Sequence, residues 1–314
     1  MWHHQHGLVC IFLVIHIQES LKEKELLLSD RLRAMEFYYL PKEYHSVHKA
    51  CFELVGQIEE FVVGKEYQFL RVSHAPMTEE EKDKFVECGD IWDFLKKYKE
   101  EDFYRLLKKQ LILGLLMDFC YFMQESLECS NKMRLVVSYA LLRRPLVDNL
   151  KILLRILLDD EFYDKFIEKD DYDPASMKEE DLKELLKATD RMRMTKPITG
   201  EFIYECIYDK DNPGSIVNLS NRAIHPVTTR PWNKTGAMNC NFMFVMPDDI
   251  AGLWKHYYAY LPAILIFYSE LFNYAVFGLF EGEVNMELYG KRLEKLVVIM
   301  NQAFPKGQKK ETGD

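Results

Sequence analysis

An apolar stretch from Leu261 to Phe280 constrains the fold more than any other segment, because it must be enclosed by protein or lie in a membrane. Its length suits a membrane span. However, Glu270 and Asn273 interrupt it, and no cluster of Lys or Arg flanks it closely. The two polar residues are expected to be paired structural groups. The stretch therefore predicts a buried core helix around which other helices pack.

The same helical periodicity extends over most of the chain, and residues that break helices are few, with 14 Gly and 11 Pro in 314 residues. Residues 111–123 are almost continuously apolar, so a helix from Asp102 to Cys129 is expected to be central. Only residues 239–246 alternate like a short strand or hairpin arm. The fold class is therefore all-α, a multi-helix bundle with one short β element near 239–246.

The organisation along the chain predicts one main unit, since no repeat and no low-complexity linker divides it. Residues 76–304 are expected to form the main helical bundle. Residues 1–75 are expected to form a loosely attached N-terminal helical segment, and residues 305–314 a flexible tail. The apolar run Leu8 to Ile17 is too short to span a bilayer and has no cleavage site after it. It is expected to be an ordinary or poorly ordered first helix.

Cysteine usage and net charge bear on compartment and partners. The seven cysteines are odd in number and include no Cys-x-x-Cys motif, which is typical of reduced thiols in the cytoplasm. The formal net charge of −9 does not favour nucleic acid through bulk electrostatics. No membrane association is expected.

The charge is distributed unevenly along the chain. Residues 159–191 hold 13 Asp or Glu against 6 Lys or Arg. Residues 130–158 have a net charge of +5, and residues 212–247 have +3 with no acid at all. Two basic segments thus lie within an acidic protein. Either the acidic helix simply packs beside the basic one, or the basic segments hold an anion.

The first basic segment carries a polar stripe on an otherwise apolar helix. Arg144, Asp148, Lys151 and Arg155 are spaced so that they share one side of a regular helix. The stripe is either a solvent edge with local ion pairs or a cleft wall that holds an anion through Arg side chains. Pro145 either kinks the helix or begins a new one, so that the adjacent arginines lie at a bend.

The second basic segment gathers His225, Thr228, Thr229, Arg222 and Arg230 without an acid. Histidine titrates near neutrality and can act as a general acid or base, and a nearby Arg would stabilise developing negative charge. The alternative is a capped helix end followed by a polar loop, with His225 bonded to backbone.

Signatures of known chemistry are otherwise missing from the sequence. It has no His-Glu-x-x-His or Glu-x-x-His metal motif, no phosphate-binding glycine loop, and no kinase or hydrolase signature. No metal and no cofactor are expected.

Two short motifs resemble uncharacterised bacterial helical proteins near the HEPN-like superfamily. They run from Tyr139 to Leu150 (YALLRRPLVDNL) and from Asn218 to Pro226 (NLSNRAIHP). The resemblance implies a helical bundle, often a dimer, and RNA cleavage without metal in the active members. Those ribonucleases separate Arg and His by four to six residues, whereas only two residues separate Arg222 from His225 here.

Two functional hypotheses follow. In the first, the protein acts through partners or self-association as a homodimer, and the resemblance places it in bacterial stress or phage defence. In the second, it is a metal-independent ribonuclease or a binder of RNA or another phosphate-bearing ligand. Its catalytic candidates would be His225 and Arg222, and its anion-binding candidates Arg143, Arg144, Asp148, Lys151, Arg155, Thr228, Thr229 and Arg230.

Overall fold

The computed structural model describes residues 4–5, 8–12, 35–230, 234–241 and 247–304. Twelve α-helices account for most of these residues, so the predicted all-α multi-helix bundle is confirmed. The helices are α1 His45–Val63, α2 Glu79–Cys88, α3 Ile91–Tyr98, α4 Glu100–Asn131, α5 Leu135–Arg143, α6 Asn149–Leu158, α7 Phe162–Glu168, α8 Glu179–Ala188, α9 Gly200–Ile207, α10 Ile216–Ile224, α11 Pro247–Leu279 and α12 Glu287–Ala303.

Helix α11 lies in the middle of the hydrophobic core, where it packs against α1, α4 and α12. In the described part of the chain it is the one helix long and apolar enough to cross a membrane, and 89% of its most apolar window is buried. The predicted buried core helix is therefore confirmed. The core helix of a soluble protein can be as long and apolar as this one when it is mostly buried. Helix α4 is equally central, as its apolar sequence predicts.

Helix α1 shares this core although it belongs to the predicted N-terminal segment 1–75. Its buried side chains, among them Phe52, Ile58 and Phe61, contact the same cluster as α4 and α11. A smaller cluster centred on Phe94 and Phe103 joins α3 to the first turns of α4. The predicted tail, 305–314, lies outside the described residues.

The strands in the described part of the chain lie near its beginning. Strand β2, Leu8–Phe12, pairs antiparallel with β1, His4–Gln5, and with β3, Val72–Pro76. The prediction of a helix over Leu8 to Ile17 is therefore wrong for residues 8–12, whose β-branched and aromatic side chains favour a strand once a partner is present. Residues 239–241 have no regular structure, and 242–246 lie outside the described residues.

A buried hydrogen-bond network ties α1, α4 and α11 together. The Nδ1 atom of His48 lies 2.7 Å from the hydroxyl of Tyr258, which also hydrogen-bonds Ser130 at 2.9 Å. Burial, helped by the neighbouring charge of His45, lowers the pKa of His48 to about 3. The imidazole is therefore neutral in the folded protein over the physiological range.

Stability is expected to fall on acidification partly because of His48. In the unfolded chain this histidine titrates near pH 6.5. Between that value and its folded pKa of about 3, the unfolded state binds the additional proton. The free energy of unfolding should then drop by up to about 1.4 kcal/mol per pH unit below pH 6.5 from this group.

Urea unfolding of the wild type and His48→Asn between pH 7.5 and 5 checks this expectation. The variant keeps a polar group beside Tyr258 but cannot titrate. The stability of the variant should fall less steeply with acidification, because it lacks the titrating imidazole. Carboxylates, which titrate at lower pH, affect both proteins alike. Parallel profiles would show that His48 is protonated in the folded state.

Candidate functional site

The candidate site begins at a π-bulge between α5 and α6. Residues 144–148 form one wide turn, in which the N–H of Asn149 donates to the carbonyl of Arg144, five residues back. Pro145 lies inside this turn and lacks the N–H that a regular helix would need. The predicted interruption at Pro145 is therefore a bulge, through which the helix continues.

Two buried tyrosines stabilise the bulge by binding its carbonyl groups. The hydroxyl of Tyr208, which follows α9, donates to the carbonyl of Val147 at 2.8 Å. The hydroxyl of Tyr268 in α11 donates to the carbonyl of Pro145 at 2.7 Å. Carbonyls that the bulge removes from the helical pattern are thus paired, which avoids the cost of burying them alone.

The bulge sends the two adjacent arginines in different directions. Arg144 contacts α4, where its guanidinium lies 2.6 Å from Asp118 and over the ring of Phe122. Arg143 donates to the side-chain oxygen of Asn221 in α10, and its Nε lies 3.9 Å from Asp148. Arg143, and not Arg144, therefore faces α10 and the loop after it.

A cavity of about 530 Å³ opens beside Arg143, within the usual size range of small-molecule sites. Its walls come from the end of α5, the bulge, α6, α8, α9, α10 and the loops before α8, after α9 and after α10. The lining residues are Arg143, Val147, Lys151, Met177, Glu179, Leu182, Tyr204, Tyr208, Lys210, Val217, Asn221, Ile224, His225, Val227, Thr228, Thr229 and Arg230.

Positive charge predominates in the cavity lining. Four cations, those of Arg143, Lys151, Lys210 and Arg230, face a single carboxylate, that of Glu179. Glu179 is already engaged, since Lys183 donates to it at 2.8 Å and Lys210 lies 3.7 Å away. The hydrogen bonds from Lys183 and Tyr204 lower the pKa of Glu179 to about 2, so it stays ionised.

Lys151 lies in the cavity lining next to Tyr208. Its side chain is half-buried, and its Nζ lies 5.6 Å from the ring centroid of Tyr208. Burial lowers the pKa of Lys151; Asp148 and Asp173 oppose this shift, while Arg143 and Lys210 add to it. Within residues 35–230, 234–241 and 247–304, no carboxylate lies within ion-pair distance of this ammonium.

The loop after α10 is held against the cavity by one asparagine. The side-chain amide of Asn241 donates to the carbonyl of His225 at 2.8 Å and to the hydroxyl of Thr228 at 3.2 Å. Thr235 in turn donates to the Asn241 side-chain oxygen at 2.7 Å. This network anchors residues 225–228, which form no helix or strand.

The two basic segments that the sequence singles out therefore meet in space. The predicted residues that line the common cavity are Arg143, Lys151, His225, Thr228, Thr229 and Arg230. His225 is exposed at the mouth. Asp148 is not in the lining but lies beside Arg143.

Three predicted arginines lie outside this cavity. Arg144 is turned towards α4 by the bulge. Arg155 is held by Asp159 at 2.7 Å and by the carbonyl of Ser176 at 2.8 Å. Arg222 is on α10 but does not line the cavity, so the proposed catalytic pair with His225 is not assembled there.

Several lining residues were missed because their local sequence gives no signal. Lys210 stands between Asp209 and Asp211, so the net charge of these three residues is negative and does not indicate a basic site. Tyr204 and Tyr208 read as ordinary apolar positions of an amphipathic helix. Lys210, Tyr204 and Tyr208 are recognised as lining residues only from their positions in the folded protein.

The described residues contain no group of three or more His, Cys, Asp or Glu that could hold a metal ion. No known protein family, characterised protein or solved structure matches this chain. The resemblance to HEPN-like proteins therefore stays a prediction.

Proposed function

We propose that this protein binds a small molecule that carries a phosphate group in the cavity between α6, α8 and α10. The observation that supports this most directly is Lys151, a half-buried cation with no carboxylate at ion-pair distance in the described part of the chain. A buried charge without a partner is unfavourable, and a bound anion would relieve that cost.

The cations of the lining favour a phosphate group as the anion. Arg143, Lys151 and Lys210 line the cavity together. Arg143 lies 3.9 Å from Asp148 and Lys210 lies 3.7 Å from Glu179, whereas Lys151 has no carboxylate at ion-pair distance in the described part of the chain. A phosphate monoester carries close to two negative charges at neutral pH. Arg143 is also suited to phosphate because its planar guanidinium can donate two parallel hydrogen bonds.

Binding is favoured over RNA cleavage by what surrounds the cavity. Residues 159–191, with a net charge of −7, supply the wall that contains Met177, Glu179 and Leu182. This wall would repel a polyanionic chain more than a compact ligand. Arg222 is also not at the cavity to assist His225. Action through partners, a homodimer, a role in defence and a cytoplasmic location stay predictions.

Removing the charge of Lys151 is expected to weaken phosphate binding at least tenfold, since charge-assisted hydrogen bonds contribute about 1.5–3 kcal/mol. Phenyl phosphate titrated into the wild type and Lys151→Met by isothermal calorimetry measures the effect. The matched control is Arg144→Met, which loses the same charge from an exposed site outside the cavity.

Binding by the control should equal that of the wild type. An equal loss in both variants would mean that only net charge matters, and absence of binding to the wild type would refute the proposal. Incubation with total RNA in EDTA separates the two chemistries. We expect no cleavage, and cleavage that is abolished in His225→Ala would establish the ribonuclease instead.

A further inference from the structure

We infer that the ligand is a soluble phosphate monoester whose organic part is apolar, rather than inorganic phosphate or a sugar phosphate. This inference rests on the proposed function, since it concerns the other half of the same ligand. Three features support it: the volume of the cavity, the apolar side chains beside its cations, and the polar groups that already hydrogen-bond within the protein.

The cavity is too large for phosphate alone. Its volume of about 530 Å³ is that of a site for a whole small molecule. Two aliphatic side chains in the lining are exposed to solvent, Ile224 by 46% and Val227 by 54%. They lie on either side of His225 in sequence, and Met177 and Val217 extend the apolar surface inward. An apolar body seated here would cover surface that is otherwise wet.

Three polar groups of the lining that could recognise hydroxyls are occupied by the protein itself. The hydroxyl of Tyr208 binds the bulge, and that of Tyr204 binds Glu179. The side-chain oxygen of Asn221 accepts from Arg143. A hydroxyl placed against these three groups would find no partner, which costs binding energy, whereas an alkyl or aryl group placed there needs none.

The acidic wall argues for a soluble ester rather than a lipid in a membrane. Met177, Glu179 and Leu182 on one side of the cavity belong to the segment 159–191, which has a net charge of −7. An anionic bilayer surface would be repelled by this segment over about a Debye length, whereas a free ester can diffuse into the cavity.

The inference is tested by calorimetric titration of the wild type with inorganic phosphate and with methyl, propyl and butyl phosphate. We expect the affinity to increase by up to about fourfold per methylene, the gain for burying one CH₂ group. Glycerol phosphate has the same number of carbons as propyl phosphate but carries two hydroxyls. It should bind no better than methyl phosphate.

The double variant Ile224→Thr, Val227→Thr assigns this gain to the cavity mouth. Because both positions are exposed and threonine is close to valine in shape, the variant should fold and still bind methyl phosphate. Its affinity for butyl phosphate should fall to that for methyl phosphate. If all the esters bind the wild type as inorganic phosphate does, the apolar ligand is refuted and the phosphate site stands. If none of them binds, the proposed function itself fails.

Vesicles of phosphatidic acid and phosphatidylcholine test the soluble assignment. We expect the protein to remain in the supernatant when they are sedimented. Sedimentation with these vesicles that is lost in Lys151→Met would place the ester in a membrane lipid and overturn this part of the inference.

Discussion

Replacing Gly200 with alanine is expected to destabilise the protein by at least about 3 kcal/mol, as in severe overpacking. A Cβ atom at Gly200 would lie 2.2 Å from the carbonyl oxygen of Leu186 and 2.8 Å from the nitrogen of Lys187. Both are backbone atoms of α8, which cannot move away as a flexible side chain can. The N–H of Gly200 is also fixed by Asp190, whose side chain accepts from it at 2.8 Å.

Urea unfolding of Gly200→Ala measures this loss, with Gly114→Ala as the matched control. Gly114 is exposed within α4, and a Cβ there would meet nothing within 4 Å. The control should be more stable than the wild type by about 0.5–1 kcal/mol, because alanine favours a helix. Effects of the same sign in both variants would show that α8 and α9 are not in such close contact.

The contact at Gly200 also bears on the candidate site. Helix α8 contributes Glu179 and Leu182 to the cavity, and α9 contributes Tyr204. Because Gly200 lets these two helices approach closely, it sets the distance between the two walls. Binding of phenyl phosphate by Gly200→Ala should therefore be weaker even at temperatures where the variant is folded.

Removing Arg292 is expected to cost about 3–5 kcal/mol, the range for breaking a buried charged network. Its guanidinium donates to the carbonyl of Gln57 at 2.5 Å and to the side-chain oxygen of Asn273 at 2.8 Å. It also lies 3.1 Å from Glu60 and 3.7 Å from the ring centroid of Phe61. In Arg292→Ala, acceptors of α1 and α11 would be left buried without partners.

Lys295→Ala provides a stringent control because Lys295 binds the same carboxylate, that of Glu60. Its side chain is half exposed, and exposed ion pairs contribute about 0–1 kcal/mol. Thermal and urea unfolding should therefore separate the two variants by several degrees. A similar loss in both would mean that the attraction to Glu60, and not the buried hydrogen bonds, stabilises the junction of α1, α11 and α12.

The sequence allowed the fold class to be predicted because helical periodicity is a local property. The core helices α4 and α11 were evident from apolar residues alone. Strand β2 was not, since Leu8 to Phe12 is apolar on both sides and only its partner strand, Val72–Pro76, selects the extended form. Short apolar runs are ambiguous for this reason.

The sequence points to Arg144 beside Lys151, whereas Arg143 lines the cavity with Lys151, and the bulge explains the difference. In a regular helix Arg144 and Lys151 are about 20° apart, whereas Arg143 and Lys151 are about 80° apart. One residue accommodated in a π-turn removes about 100° of rotation between them. Arg143 then aligns with Lys151 to within about 20°, and Arg144 is turned about 120° away. Nothing in a periodicity argument indicates a bulge beyond the presence of Pro145.

The bulge has a consequence for how this helix tolerates changes of length. The segment 144–148 contains one residue more than a regular turn requires, so deleting one residue there would leave the downstream side chains facing as they do now. An inserted residue would instead turn α6 by about 100° and carry Lys151 out of the cavity. Shortening would still strip Tyr208 and Tyr268 of the carbonyls that they bind. A deletion in 144–148 should therefore keep Lys151 in the cavity, whereas an insertion should not. The helix with the deletion would be held less firmly, because Tyr208 and Tyr268 no longer bind it.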